Sequence, residues 1–144
     1  MSSKPDKVTI TLPCRPEYVG VVRLALLGVA SRLPFSYDEV EDLRLAVGEA
    51  CTYAVERAGT IEATLTVLIS LDETGLEIDV TDNVPQDTPK RMSAQDTDLL
   101  AETGIDQEGL GALLMEILVD KVEIVPGPSG TTVHLTKLAP KQST

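Results

Sequence analysis

Three side chains able to hold a charged or polar ligand follow one another along a single stripe of a predicted helix. Glu49, Tyr53 and Arg57 are spaced at i, i+4 and i+8, which places them on one helical face. Small residues flank them and leave room for a bound group: Gly48, Ala50 and Thr52. The stripe alone fits two interpretations, a ligand site or an ordinary solvated ion pair between Glu49 and Arg57 at the rim of a packing helix.

The helix that carries this stripe, residues 37–58, has clear sequence signals. Ser36 and Glu39 have the spacing of an N-terminal capping box, and acidic residues crowd the first turns. Apolar residues recur every three or four positions, as expected of one buried helical face: Val40, Leu43, Val47, Ala50, Cys51 and Ala54. The pattern therefore predicts a long helix packed on a core.

Other segments supply the rest of the scaffold. Helical period predicts three helices: 16–33, 37–58 and 110–120. Alternating apolar residues predict five strands: 7–12, 61–70, 76–80, 122–125 and 131–136. The long polar segment 82–108 predicts a lid over a site, with one short helix around 96–102. We expect residues 1–6 to be a flexible tail.

This order of elements predicts a single α+β domain over residues 1–144. The expected architecture is a two-layer sandwich, in which helices cover one face of a mixed, antiparallel-rich sheet.

Charge and composition limit the partners. The chain has 12 basic and 23 acidic residues, a net charge of -11, which argues against nucleic acid and anionic membrane. A basic partner, or one that presents apolar surface, is favoured. Cys14 and Cys51 predict reduced thiols in a cytoplasmic protein, and no apolar run is long enough to span a bilayer. A single histidine, His134, argues against imidazole metal sites and histidine-based triads.

Four separated pieces of the chain carry polar residues or glycines at element ends: Glu49 on the long helix, Asp82 at a strand end, Gly109 and Gly111 at a helix start, and Gly130-Thr131 entering the last strand. Their order along the chain resembles the GHKL nucleotide-binding fold of gyrase, Hsp-type chaperone ATPases and histidine kinases. Longer blocks are similar to the anti-sigma factor serine kinases of bacterial partner switching, the type that acts on general-stress sigma factor B: PEYVGVVRLALLGVASR, YDEVEDLRLAVGEACTYAV and EGLGALLMEILVDKVEI. The resemblance extends from Pro16 to Lys137.

The resemblance implies a homodimeric protein that sequesters a sigma factor and uses ATP with Mg²⁺ to phosphorylate a serine on a STAS-type antagonist, leaving ADP. The first strand, 7–12, is a candidate for an edge in the dimer. The resemblance also implies residue roles. Glu49 is expected to be the catalytic carboxylate, and Asp82 the acceptor for the adenine amino group, with Thr131 in support. Gly109 and Gly111 are expected to contact phosphate through their backbone under the lid, and Arg23 to contact protein partners. Judged by its helix alone, Arg23 also fits a rim residue whose stem snorkels.

Several positions depart from the family pattern. Tyr53 stands where the family has its metal-binding asparagine, and a neutral phenol is a poor Mg²⁺ ligand. Val84, followed by Pro85, replaces a glycine beside the adenine-contacting aspartate. Gln107 and Glu108 stand where the lid has glycines.

Together these departures predict a binding regulator whose nucleotide chemistry is reduced or absent. The retention of Glu49, Asp82 and Thr131 keeps an active serine kinase as the alternative. A third interpretation is a pocket for a different small ligand, since Tyr53 and Val84 make the cavity more apolar.

Overall fold

The computed structural model describes residues 4–86 and 107–140. Its elements follow in this order: β1 Asp6–Pro13, a 3-10 turn Pro16–Tyr18, α1 Val19–Ala30, α2 Tyr37–Ala58, β2 Thr64–Asp72, β3 Gly75–Asp82, α3 Gln107–Leu118, β4 Lys121–Gly127 and β5 Gly130–Leu138. The predicted succession of helices and strands is confirmed. The short helix predicted at 96–102, and most of the predicted lid, lie outside the described residues.

The five strands form one sheet in the order β1-β2-β3-β5-β4. Every pair among them is antiparallel, so the predicted antiparallel-rich sheet contains no parallel pair within the described strands. Because β5 lies between β3 and β4, Thr132 pairs with Thr81. This register brings the start of β5, at Gly130 and Thr131, beside the end of β3 at Asp82.

The helices cover one face of the sheet, which confirms the predicted two-layer sandwich. Alternate strand residues such as Leu65, Val67 and Ile78 are at most 1% exposed and face the helices. Helix α2 lies in the middle of the helical layer and packs against both α1 and α3. Within the described part of the chain, no helix is long and apolar enough to cross a membrane.

The predicted capping box fixes where α2 begins. The Glu39 N–H donates to the Ser36 hydroxyl at 3.1 Å, and the Ser36 N–H donates to the Glu39 carboxylate at 2.9 Å. These bonds satisfy two donors that a helix start otherwise leaves unpaired. The helix ends at Gly59, whose φ of 58° suits a residue without a Cβ.

Several predicted boundaries are wrong by a few residues. Strand β2 begins at Thr64, because the Ile61 N–H bonds to the Ala58 carbonyl in a turn after α2 and leaves Ile61 41% exposed. Helix α1 ends at Ala30, before Leu33. Helix α3 begins at Gln107, so Gly109 lies inside its first turn rather than ahead of the helix.

Candidate functional site

A buried ion pair joins the last turn of α2 to the end of β3. Arg57 Nη1 donates to Asp82 Oδ2 at 2.7 Å, and Arg57 Nη2 donates to the Val84 carbonyl at 3.1 Å. Arg57 is 6% exposed and Asp82 is 4% exposed. The interpretation of Glu49 and Arg57 as a solvated pair at the helix rim is therefore wrong. Arg57 continues the face of α2 that packs inward, and its charge is matched by Asp82.

The Asp82 carboxylate receives further hydrogen bonds through its second oxygen. Oδ1 accepts the Val84 N–H at 2.9 Å and the Thr131 N–H at 3.3 Å. A carboxylate this deeply buried is tolerated only when it is paired and hydrogen-bonded. Both oxygens thus accept hydrogen bonds from the protein itself, and a ligand amino group would have to share these acceptors or displace the donors.

The segment that follows β3 closes over Thr131. Val84 is fully buried and Thr131 is 2% exposed. Gln86 Nε2 donates to Thr131 Oγ1 at 3.0 Å and to the Gly127 carbonyl at 2.8 Å. The hydroxyl group predicted to support adenine binding is therefore held by a glutamine side chain.

Gly130 is what allows β5 to approach β3 here. A Cβ at this position would overlap the carbonyl oxygen of Asp82 and come within 3.1 Å of the Asn83 Cα. The backbone carbonyl cannot move aside as a flexible side chain would. Only glycine fits between these strands without displacing one of them.

Glu49 lies at a separate small cavity between α2 and α3. The cavity measures about 180 Å³ and is lined by Glu49, Thr52, Tyr53, Glu56, Gly111, Ala112 and Met115. A Cβ on Gly111 would lie 3.5 Å from Glu49 Oε2, so the two residues face each other across it. Asp82 and Thr131 do not line this cavity. The Arg57 guanidinium carbon lies 5.7 Å from the centroid of the Tyr53 ring, within range of a cation–π contact, and links the two regions.

Within the described residues, the cavity beside Glu49 is small for a magnesium nucleotide. Pockets for small molecules typically span about 300–1,000 Å³, whereas the cavity beside Glu49 measures about 180 Å³. Tyr53 is one of the residues that line this cavity. Among residues 4–86 and 107–140, no group of three His, Cys, Asp or Glu side chains is arranged to hold a metal ion.

The two remaining predicted site residues lie on the helical layer. Gly109 is exposed in the first turn of α3. Arg23 of α1 is half-buried against α2, because its guanidinium lies over Gly48, where an added Cβ would come within 2.8 Å of Nε. The structure therefore brings Glu49 near Gly111 and Asp82 near Thr131, and it keeps Arg23 in the contact between α1 and α2.

Two residues of the site were missed by the sequence analysis in the roles they have here. Arg57 follows Ala50 and Ala54 at i+7 and i+3, a spacing that places it on the buried face and that could have revealed it. The interaction of Gln86 with Thr131 spans 45 positions, and no local pattern indicates it.

Comparison with known proteins agrees with this architecture. Residues 12–137 match the profile of the histidine kinase-like ATPase domain. Serine-protein kinase RsbW of Bacillus velezensis is 41% identical over 147 residues, covering 95% of this chain and 88% of that protein. The protein of the same name from Bacillus subtilis is 38% identical over 150 residues, with the same coverage of 95% and 88%.

A solved structure shares the fold. The crystal structure of the RsbU and RsbW domains of Rv1364c from Mycobacterium tuberculosis superposes with a TM-score of 0.68 at 20% identity. The match covers 94% of this chain and 33% of that longer chain.

Proposed function

Because the chain belongs to the histidine kinase-like ATPase domain family, with relatives named serine-protein kinase RsbW, we propose that it is an anti-sigma regulatory factor of a partner-switching system. In this role it binds a sigma factor or a STAS-type antagonist in alternation, in the cytoplasm. Its nucleotide site is degenerate, so binding rather than phosphoryl transfer is its main activity.

One observation carries the proposal: the carboxylate at the family's adenine-contacting position is already occupied. Asp82 accepts from Arg57 at 2.7 Å and from the backbone of Val84 at 2.9 Å. An adenine amino group would have to displace Arg57 or a backbone donor from the buried Asp82 carboxylate, and separating a buried ion pair is costly. Val84 fills the adjoining space with a side chain that is fully buried.

A second departure supports the same conclusion. Tyr53 lines the cavity beside Glu49, so the family's metal-binding position presents a phenol ring. Without a metal to neutralise phosphate charge, the half-buried Glu49 would repel an incoming triphosphate. Gly109 and Gly111 remain at the start of α3, and backbone donors there do not offset that repulsion.

Partner binding is assigned to the helical layer around Arg23. The Arg23 guanidinium lies over Gly48 and places a cation on an otherwise acidic protein. We place the contact to the sigma factor or antagonist there. A homodimer formed through β1, which is an edge strand of the sheet among the described residues, completes the proposed assembly.

Calorimetric titration with ATP and with ADP, each with and without Mg²⁺, tests the degenerate site. We expect no saturable binding at nucleotide concentrations up to about 1 mM, together with measurable binding of the sigma factor partner. The variant Tyr53→Asn/Val84→Gly is not expected to gain nucleotide affinity, because the Asp82 carboxylate remains paired with Arg57. Tight, metal-dependent binding by the unaltered protein would refute the degenerate site.

An active serine kinase is the second candidate, and the geometry around Glu49 favours it. Glu49 Oε2 would lie 3.5 Å from a Cβ on Gly111, so a carboxylate able to act as general base stands near the start of α3. Transfer of radiolabelled phosphate from ATP to a STAS antagonist, abolished by Glu49→Gln, would establish this activity. Absence of transfer, in a mixture where the two proteins bind each other, removes it.

A further inference from the structure

The outer side of α3 carries a stripe of large aliphatic side chains that the described structure leaves exposed. Leu110, Leu113, Leu114 and Ile117 are 42%, 46%, 39% and 71% exposed. Their spacing of i, i+3, i+4 and i+7 aligns them along about two helical turns. On the opposite side of the helix, Met115 is 1% exposed within the core. Helix α3 is therefore apolar on both sides.

The charged side chains beside this α3 stripe are acidic or already bonded to other groups of this chain. Glu116 is exposed next to the stripe. At the end of the helix, Lys137 Nζ donates to the Leu118 carbonyl at 3.1 Å, and Lys121 Nζ pairs with Glu123 at 2.9 Å. The sequence from 109 to 118 contains no lysine or arginine. The stripe is thus an apolar surface with an acidic flank, on a chain of net charge -11.

We propose that the α3 stripe docks an amphipathic helix of a protein partner, whose own apolar face is flanked by lysine or arginine. An apolar row at this spacing matches the ridges that one helix presents to another. Basic residues beside the partner's apolar face would pair with Glu116 and be attracted by the acidic chain. The short contact makes the complex reversible.

Charge and area decide against other occupants. A second copy docked stripe to stripe would bring two acidic flanks together, each with an exposed Glu116. A stable dimer buries about 1,200–2,000 Å² in total, far more than two turns of helix supply. An anionic membrane would be repelled by the net charge.

This docking surface goes beyond the proposed function. It uses neither the Arg57–Asp82 pair nor the cavity beside Glu49, so it holds for a binding regulator and for an active kinase alike.

The test is a fluorescence anisotropy titration with two synthetic helical peptides on the full chain. One peptide carries leucines at i, i+3, i+4 and i+7 flanked by lysines, and the other has glutamates in place of the lysines. We expect saturable binding of the lysine peptide only. Ile117→Ser should weaken that binding about tenfold, because a buried isoleucine side chain is lost from the complex. The matched control is Leu24→Ser on α1, since Leu24 and Ile117 are both 71% exposed.

Charge is tested separately at low salt. Glu116→Gln should weaken binding of the lysine peptide about two- to fivefold, while Glu77→Gln, an exposed residue of β3, should not. Equal effects of Ile117→Ser and Leu24→Ser, or equal affinity for the two peptides, would overturn the proposal. So would a homodimer that Ile117→Ser dissociates in sedimentation, because a second copy would then cover the stripe, or binding of the protein to anionic vesicles.

Discussion

Arg57 and Asp82 are 25 positions apart in the chain, and their side chains meet at 2.7 Å in the interior of the fold. The pair fastens the last turn of α2 to the end of β3, and the same guanidinium holds the Val84 carbonyl at 3.1 Å. Helix, strand and the segment after the strand are thus fixed to one another by a single side chain.

Removal of the arginine should be strongly destabilising. Arg57→Ala leaves the Asp82 carboxylate, 4% exposed, buried without its cation, and such losses cost about 3–5 kcal/mol. Arg44→Ala is the matched control, because Arg44 pairs with Glu41 where the side chains are 38% and 28% exposed; it should cost at most about 1 kcal/mol. Urea unfolding measures both. Equal losses in the two variants would mean that the buried pair contributes no more than a surface pair.

A methyl group at Gly130 should force β3 and β5 apart. Gly130→Ala places a Cβ against the Asp82 carbonyl, and we expect a loss of about 1–3 kcal/mol from overpacking. Gly28→Ala serves as the control, since nothing lies within 4 Å of its added Cβ and alanine suits a helix; that variant should gain about 0.4–1 kcal/mol. Thermal unfolding of the two proteins in parallel gives the comparison. A neutral result for Gly130→Ala would contradict the close strand approach.

A methyl group at Gly48 should move Arg23 without unfolding the protein. The added Cβ would lie 2.8 Å from Arg23 Nε, and a flexible side-chain end can swing away. Gly48→Ala should therefore change the free energy of unfolding by less than about 1 kcal/mol but weaken sigma factor binding as much as Arg23→Ala does. Gly20→Ala, which meets nothing within 4 Å, should leave binding unchanged. Unchanged sigma factor binding by Gly48→Ala would show that partner recognition does not depend on the position of Arg23.

Both thiols should be unreactive in the folded protein. Burial raises the pKa of Cys51 from 9.0 to about 12, with a further contribution from Cys14. Burial also raises the pKa of Cys14 to about 11, assisted by the Asp82 carboxylate. Since the thiolate is the nucleophile, iodoacetamide at pH 8 should label neither cysteine until the chain is unfolded in urea.

The same shifts give a pH dependence of stability. Because the pKa of each thiol is higher in the folded state, the thiol contributes to the free energy of unfolding. This contribution is fully present below the unfolded pKa of 9.0 and is lost as the pH rises through the folded values of about 11 to 12. The free energy of unfolding should therefore fall across that alkaline window, and Cys51→Ala should reduce the fall. A pH-independent free energy of unfolding between pH 8 and pH 11 would contradict the burial of these thiols as ionisable groups.

Much of the fold follows from local patterns in the sequence. The capping box at Ser36 and the alternation in β3 are short-range signals, and they place α2 and that strand because each depends on neighbours within four residues. Boundaries fail where a tertiary contact takes over, as at Ile61, whose apolar side chain continues the alternation of β2 while its backbone N–H closes a turn.

The side-chain contacts within the site could not be predicted from such local patterns. The order of Glu49, Asp82 and Thr131 along the chain indicates the family, yet it does not reveal what each side chain contacts. Pairing of Arg57 with Asp82 depends on how the end of α2 lies over the sheet, which no periodicity specifies. Gln86 reaches Thr131 across 45 positions, and a glutamine in a polar segment carries no signal of that kind.

The strand order has a consequence for when the protein can assemble during synthesis. Among the described strands, β4 pairs only with β5, and β5 follows β4 in the chain. A nascent chain that has emerged only as far as β4 can already pair β1 with β2 and β2 with β3, but its newest strand lacks the neighbour that it has in the folded sheet. Thr131, which supplies the second backbone donor to Asp82, also arrives with β5. The emergence of β5 therefore completes both the sheet of described strands and the interior around Asp82 in one step.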